Sequence, residues 1–284
     1  MEATKESRWI RVGNFVTVDW LKHRLEDKNV IPVDCRFDLK DPKRGYNEYH
    51  EAHIPGAMYA DLEKHLSGKV DEHGGRHPLP DMEGFLIFLG SIGIDGSKTV
   101  VVYDAQQSAM AARLWWMLKY VGHKKVYVLD GGYTEWIEQN LPTTDQESDV
   151  EETEFKANIQ KEMVAELTDV QSGIKEQGTV LIDARGEDRY AGRNEPIDPK
   201  AGHIPTAVNL FFAENLKDGK WKSIGQLEDR FQEYRDKEII SYCGSGVTAC
   251  VNILALDEIG EKSKLYVGSW SDWCSYKEHE IESD

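Results

Sequence analysis

Residues 239–250 read Ile-Ile-Ser-Tyr-Cys-Gly-Ser-Gly-Val-Thr-Ala-Cys, and the order of those residue types decides the architecture. Ile239 and Ile240, with Tyr242 after Ser241, read as the end of a buried strand. No proline or glycine interrupts Thr248 to Leu256, so a helix follows. Cys243 therefore stands at a strand-to-helix corner. Gly244 and Gly246 let the backbone curl tightly enough to turn several N–H groups inward, and the helix adds the positive end of its dipole. Both effects favour negative sulfur, which makes Cys243 the candidate nucleophile. An inert buried cysteine beside an ordinary Gly/Ser turn is the competing reading.

The chain of 284 residues has room for roughly two domains at ~150 residues each. A second copy of the same pattern does lie upstream. Val33-Asp-Cys-Arg36 matches Ile182-Asp-Ala-Arg185, and Ala52-His-Ile-Pro-Gly56 matches Gly202-His-Ile-Pro-Thr206. Further on, Val102-Tyr-Asp104 matches Ser241-Tyr-Cys243, and Asp130-Gly-Gly-Tyr-Thr-Glu-Trp136 matches Val267-Gly-Ser-Trp-Ser-Asp-Trp273. The order is preserved while the gaps shift, as in a duplicated domain with loop insertions rather than a short-period solenoid. Strands alternating with helices in each copy imply an α/β fold with a parallel sheet, whose ligands sit at the carboxyl ends of the strands. The acidic stretch from Leu141 to Glu154 has little to bury and reads as the connection. The expected layout is a first domain over 1–143, a linker over 144–158 and a second domain over 159–284. Only the second carries a nucleophile, because Asp104 takes the place of Cys243 in the first and the loop after it lacks glycine.

Composition narrows the partners. A net charge of −17 disfavours a nucleic-acid surface, which needs a clustered basic face. The four cysteines have neither the paired spacing of a disulfide scaffold nor a zinc-type CxxC, which suits a reducing compartment. The first residues, MEATKESRWIRVGNFV, lack a signal-peptide core, and the longest uncharged window, Ile239 to Leu256, is broken by polar residues and glycines. The expectation is a cytoplasmic protein with no membrane partner, no cofactor and no metal.

CGSGVT at 243–248, the paired AHIPG and GHIP segments, RLWWML at 113–118, DGGYTEW at 130–136 and GSWSDW at 268–273 together resemble the two-domain rhodanese-like sulfurtransferases. Within them the chain is similar to the 3-mercaptopyruvate branch. The resemblance spans nearly the whole chain and implies tandem rhodanese-like domains in which Cys243 accepts a sulfane sulfur as a persulfide and passes it to a second thiophile. Thiosulfate-preferring members typically carry basic residues after the cysteine, whereas Gly244 and Ser245 stand here. The resemblance also implies roles for Ser245 and His77 as a proton relay, with a carboxylate behind them at Glu63 or Asp61. It implies Arg189 as a substrate-binding arginine and the loop of Gly244, Gly246, Val247 and Thr248 as the anion cradle. A second substrate arginine is missing from its usual place, and Arg193 or Lys200 is the candidate substitute. The acceptor that the resemblance implies is left open among a thioredoxin, a low-molecular-weight thiol and cyanide.

Arg36 and Arg185 read as partners in buried ion pairs, and His53 and His203 as structural residues, because both recur in the copy without a cysteine. The tryptophans read as packing residues, with Trp270 or Trp273 at the edge of a pocket. Cys250, about 10 Å along a helix from Cys243, is too far for a disulfide. A cysteine phosphatase would need an arginine where Ala249 stands. Thiosulfate:cyanide sulfurtransfer and a persulfide carrier without turnover are the remaining alternatives.

Overall fold

Both Asp-x-Arg segments lie at the carboxyl end of a buried strand, and each strand belongs to a separate parallel sheet. The structure is a computed structural model and describes residues 13–284, so the expectation of no leader falls largely outside the described residues. The chain forms two units. The first comprises the described residues up to Ser67 with Pro80–Gln160 and Gly219–Trp221; the second comprises Gly68–Leu79, Lys161–Asp218 and Lys222–Asp284.

In the first unit the strands are β1 (Phe15–Val16), β2 (Val30–Asp34), β3 (Met58–Tyr59), β4 (Thr99–Tyr103) and β5 (Val126–Leu129). They stand in the order β1-β5-β4-β2-β3, every pair parallel. Helices α1 (Val18–Lys22), α2 (Arg44–Glu51), α3 (Met82–Ser91), α4 (Ala109–Tyr120) and α5 (Gly132–Glu138) flank the sheet. The second unit repeats the plan with β6 (Val164–Ala165), β7 (Thr179–Asp183), β8 (Val208–Asn209), β9 (Glu238–Tyr242) and β10 (Ser263–Tyr266) in the order β6-β10-β9-β7-β8. Its helices are α6 (Leu167–Gly173), α7 (Glu187–Tyr190), α8 (Ile224–Phe231), α9 (Ala249–Glu258) and α10 (Ser269–Trp273). The central strands are apolar almost throughout because helices cover a parallel sheet and leave no solvated face. Helices α4 and α9 are buried along most of their length for the same reason.

The duplication extends to individual hydrogen bonds. Val33 pairs with Val102 and Asp34 with Tyr103, as Ile182 pairs with Ser241 and Asp183 with Tyr242. Tyr103 Oη accepts the Ile54 N–H at 3.3 Å, and Tyr242 Oη that of Ile204 at 3.2 Å. Arg36 binds Asp34 at 2.7 Å and donates to the Ala52 carbonyl; Arg185 binds Asp183 at 2.6 Å and donates to the Gly202 carbonyl. These are the buried ion pairs expected from the sequence, and they tie the end of a central strand to the His-Ile-Pro turn. His53 stacks on Tyr49 and bonds its carbonyl, while His203 does the same with Tyr190. A charge pair this deep is retained only with all its hydrogen bonds satisfied, which constrains the turn's position.

The acidic connection is laid along the first unit, although its side chains offer little to bury. Backbone carries the attachment. His53 and Thr144 exchange N–H···O bonds of 2.9 Å, and the Thr153 N–H donates to the Gly90 carbonyl at 3.0 Å. Phe155 is buried against His123. The arm Gly68–Leu79, which the expected layout included in the first domain, belongs to the second unit. Among the described residues, no helix is long and apolar enough to cross a membrane.

Candidate active site

Cys243 follows directly on β9 and is 2 % exposed. Its N–H donates to Ser269 Oγ at 3.1 Å, and its carbonyl accepts from the Trp270 N–H at 2.9 Å. The Gly244 carbonyl accepts from the Ser271 N–H, so the first turn of α10 staples the outer side of the loop. Gly246 has φ +76°, and a Cβ there would lie 2.3 Å from the Val267 carbonyl oxygen. Only glycine permits both the left-handed turn and that approach. Thr248 stands at the N-cap position of α9, with no capping bond from its side chain.

The equivalent loop of the first unit shows what such a turn is built to hold. Asp104 is buried, and its carboxylate accepts four backbone N–H groups, from Gln106 and Ser108 on Oδ1 and from Met110 and Ala111 on Oδ2, at 2.8–3.0 Å. Burial pushes this carboxyl up, and the four amides oppose it. Gln107 and Ser108 take positive φ to make the ring without glycine. In the second unit the N–H groups of Ser245, Val247 and Ala249 donate to no protein acceptor among the described residues. By the likeness of the two loops, amides left without a protein acceptor beside a thiol suit an anionic sulfur species.

Ser245 and His77 are both buried and joined by a 2.7 Å hydrogen bond between Oγ and Nδ1. The direction of donation follows the imidazole tautomer. His77 is carried by the arm 68–79, which is fixed to α10 at several points. The Gly74 N–H donates to Asp272 Oδ1 at 2.7 Å and the Arg76 N–H to Ser271 Oγ at 3.1 Å. His73 bonds Ser275 Oγ at 2.7 Å and stacks on Tyr276. Asp272 in turn accepts from the Tyr266 hydroxyl. His65, twelve positions before His77, instead accepts the Asp61 N–H and stacks on Phe88 within the first unit.

Two guanidiniums converge on Gly244. A Cβ at that residue would lie 2.9 Å from Arg76 Nη2 and 3.3 Å and 3.4 Å from the two terminal nitrogens of Arg189. Arg76 was not among the residues the sequence nominated; its only signal was adjacency to His77 in GGRHPLP. Behind the pair, Asp198 accepts from Arg76 Nε at 2.9 Å and from Arg189 Nη2 at 3.0 Å. Glu195 accepts two bonds from Arg189 and lies 3.3 Å from Arg185 Nη1. Burial pushes the Glu195 carboxyl up, but Arg189 and the amides of Asp198 and Ile197 outweigh it and hold the carboxyl below its ordinary value.

Arg193, expected as the second clamp, is placed elsewhere. It pairs with Glu187 and Asp188 at the surface, and Lys200 Nζ donates to the Tyr276 carbonyl. The shortened segment 193–200 supplies carboxylates that hold arginines, not the arginine itself. Asp61 and Glu63 lie in the first unit; Asp61 is buried and accepts the N–H groups of Glu63 and Lys64, while Glu63 is exposed. Trp270 and Trp273 are core residues with N–H groups bonded to the carbonyls of Lys200 and Glu280.

All four cysteines are buried, and none forms a disulfide. Burial pushes the Cys35 thiol up strongly and the Cys274 thiol to about 11. No group of His, Cys, Asp and Glu among the described residues is arranged to hold a metal ion.

A profile of the Rhodanese-like domain matches residues 17–139 and again 166–276. The chain belongs to the rhodanese-like family. It is 41 % identical over 271 residues to the "Probable 3-mercaptopyruvate sulfurtransferase" of Pseudomonas aeruginosa, covering 93 % of this chain and 95 % of that one. It is 34 % identical to the 3-mercaptopyruvate sulfurtransferase of Escherichia coli K12, covering 91 % and 94 %. The crystal structure of SseA from Escherichia coli, a 3-mercaptopyruvate sulfotransferase, superposes with a TM-score of 0.82 at 34 % identity, covering 92 % of this chain and all of that one. As a rhodanese-like protein, the chain thus has two family domains whose cysteine-position loops differ in one decisive residue. One loop closes on its own carboxylate, and the other presents Cys243.

Proposed function

We propose that the protein is a sulfurtransferase that takes the thiol sulfur of 3-mercaptopyruvate onto Cys243, where it becomes the sulfane sulfur of a persulfide, and delivers it to a thiol. The Ser245–His77 hydrogen bond of 2.7 Å beside the cysteine loop carries this reading, because transfer from a carbon-bound sulfur requires a proton shuttle. The Cys243 thiolate attacks the donor sulfur, and a new S–S bond forms as the sulfur–carbon bond breaks. The electron pair of that bond leaves as the enolate of pyruvate. The proton given up by the donor thiol passes through Ser245 and His77 to the enolate carbon, leaving pyruvate and the Cys243 persulfide anion. A thiol acceptor then takes the outer sulfur and restores the thiolate. The relatives named above share the donor in their names, and the reading of a reducing, cytoplasmic setting is supported by four cysteines none of which forms a disulfide.

The donor carboxylate is assigned to Arg189 and Arg76, whose forks flank Gly244. Arg76→Ala and Arg189→Ala are each expected to raise KM for 3-mercaptopyruvate by roughly 10- to 100-fold, the loss of one charge-assisted contact. Arg193→Ala is expected to leave it unchanged. Steady-state pyruvate release measures all three, and an effect of Arg193→Ala equal to the other two would return that residue to the site.

The relay makes a donor-selective prediction. Ser245→Ala and His77→Asn should lower kcat with 3-mercaptopyruvate by roughly 10²- to 10³-fold, the usual contribution of positioned acid–base groups. Thiosulfate to cyanide transfer should fall far less, because sulfite leaves as a stable anion that needs no proton. Equal losses with both donors would reduce the pair to a structural hydrogen bond. The founding measurement is pyruvate formation from 3-mercaptopyruvate beside thiocyanate formation from thiosulfate and cyanide. Preference for thiosulfate would replace the donor, and one equivalent of sulfur without turnover would make the protein a carrier.

A further inference from the structure

The two guanidiniums at Gly244 do not face the donor as bare cations. Asp198 bridges them, with Oδ1 on Arg76 Nε, and Oδ2 on Arg76 Nη2 at 3.1 Å and Arg189 Nη2 at 3.0 Å. Its side chain is 2 % exposed, against 29 % for Arg76 and 22 % for Arg189. Glu195, 3 % exposed, backs Arg189 from the other side and is shared with Arg185, whose own partner is Asp183. The carboxylates are therefore sealed behind the cluster while the guanidinium edges face outward. Arg76, Arg189, Asp198 and Glu195 sum to no net charge, and Arg185 with Asp183 adds none. The Nη1 groups of Arg76 and Arg189 donate to no protein acceptor among the described residues, so directional donors remain although the long-range attraction is cancelled.

We propose that Asp198 is a specificity-determining residue, which, by neutralising the Arg76–Arg189 pair from behind, tunes the site to a monoanionic donor and against a dianionic one. The inference rests on the sulfurtransferase reading and deepens it. 3-Mercaptopyruvate with its thiol protonated carries one charge and a planar carboxylate that fits two guanidinium edges. Thiosulfate carries two charges on a compact centre, and its binding needs uncompensated cations to replace the hydration it gives up. With Gly244 in the position next to the cysteine, no side chain on the loop adds a further charge. Donor choice then follows from the balance of two arginines against two buried carboxylates, which the arm 68–79 and the segment 195–198 bring together.

The test is the ratio of kcat/KM for thiosulfate to kcat/KM for 3-mercaptopyruvate in the wild type, Asp198→Asn, Asp198→Glu and Glu195→Gln. Removing one negative charge at contact distance from the cation pair should raise that ratio about tenfold or more in Asp198→Asn. Asp198→Glu, which keeps the charge, should return the ratio to near the wild-type value even if both activities fall. Glu195→Gln makes the same charge change through a different carboxylate and should move the ratio the same way, which keeps the test decisive if one variant folds poorly. Competitive inhibition by sulfate, a dianion with no transferable sulfur, should tighten in parallel, and its gain should shrink with added salt. Equal losses with both donors and an unchanged ratio in Asp198→Asn and Glu195→Gln would overturn the proposal and leave the carboxylates as scaffolding, with the sulfurtransferase reading intact. Absence of turnover with either donor in the wild type would instead remove that reading and this inference with it.

Discussion

Cys243→Ser is expected to abolish sulfur transfer, with kcat/KM falling by on the order of 10⁴ or more, while the protein stays folded. The loss follows from chemistry. A serine hydroxyl beside the same ring of amides is far less acidic than a thiol and forms no persulfide. Knocking out the nucleophile of an assembled site characteristically costs several orders of magnitude. The retained fold follows from geometry. The hydrogen bonds that fix residue 243 run through its backbone, from the N–H to Ser269 Oγ and from the Trp270 N–H to its carbonyl, and neither involves the sulfur. Serine is nearly isosteric, so the melting temperature should move by no more than a few degrees. Transfer assays with both donors, paired with thermal denaturation, measure the two halves of the prediction. Residual turnover above about 1 % would hand the nucleophile role to another group, and Cys35 and Cys274 are poor candidates because burial keeps both as thiols.

Asp104→Asn is expected to do the reverse, injuring the fold at a position that carries no thiol. Asp104 stands at the cysteine position of the first unit and satisfies four buried amides with two carboxylate oxygens. An asparagine keeps one oxygen and turns an NH₂ group toward two N–H donors. Two amides lose their acceptor and face a donor instead, and the charge assistance to the others is gone. At about 1–3 kcal/mol for each unsatisfied buried group, the cost is roughly 3–5 kcal/mol, enough to lower the melting temperature by about 10 °C. Asp104→Ala orphans all four amides and should be worse. Thermal or urea denaturation reads the effect directly. A melting temperature within 2 °C or so of the wild type in both variants would sink the idea that the carboxylate holds this loop together. The contrast between the two loops is then a division of labour within one repeated turn. The curl holds a permanent carboxylate in the first copy, and on the proposed reading the same curl in the second copy, without its own anion, receives the transient anionic sulfur.

The duplicated plan was legible because it is written in local spacing. The Asp-x-Arg strand ends, the His-Ile-Pro turns and the Gly-x-x-x-x-Trp segments recur in order, and each copy folds them into the same strand order and the same register. Cys243 was legible for a related reason: a thiol between an apolar strand and a glycine-bearing loop is a pattern contained within a dozen residues. Arg189 and Ser245 came from the resemblance of their local motifs to the family, and the structure sets both beside the cysteine loop. Arg193 shows where that reasoning ends. A search for a second arginine along the same segment led to a residue that pairs with its own neighbours Glu187 and Asp188 on the surface. The residue that does face Gly244, Arg76, lies more than a hundred positions upstream.

By itself, therefore, the sequence determined the twofold α/β architecture, the strand-to-helix corner that presents Cys243 and the replacement of that thiol by Asp104 in the first copy. Periodicity, glycine placement and short motifs act through neighbouring backbone atoms, so they can be read one segment at a time. Tertiary structure alone decided that the arm 68–79 packs on α10, that it brings Arg76 to Gly244, and that Asp198 bridges Arg76 to Arg189. Those contacts join residues separated by nine to nearly two hundred positions. Electrostatic pairing at 3 Å depends on distance in space, which no local pattern records.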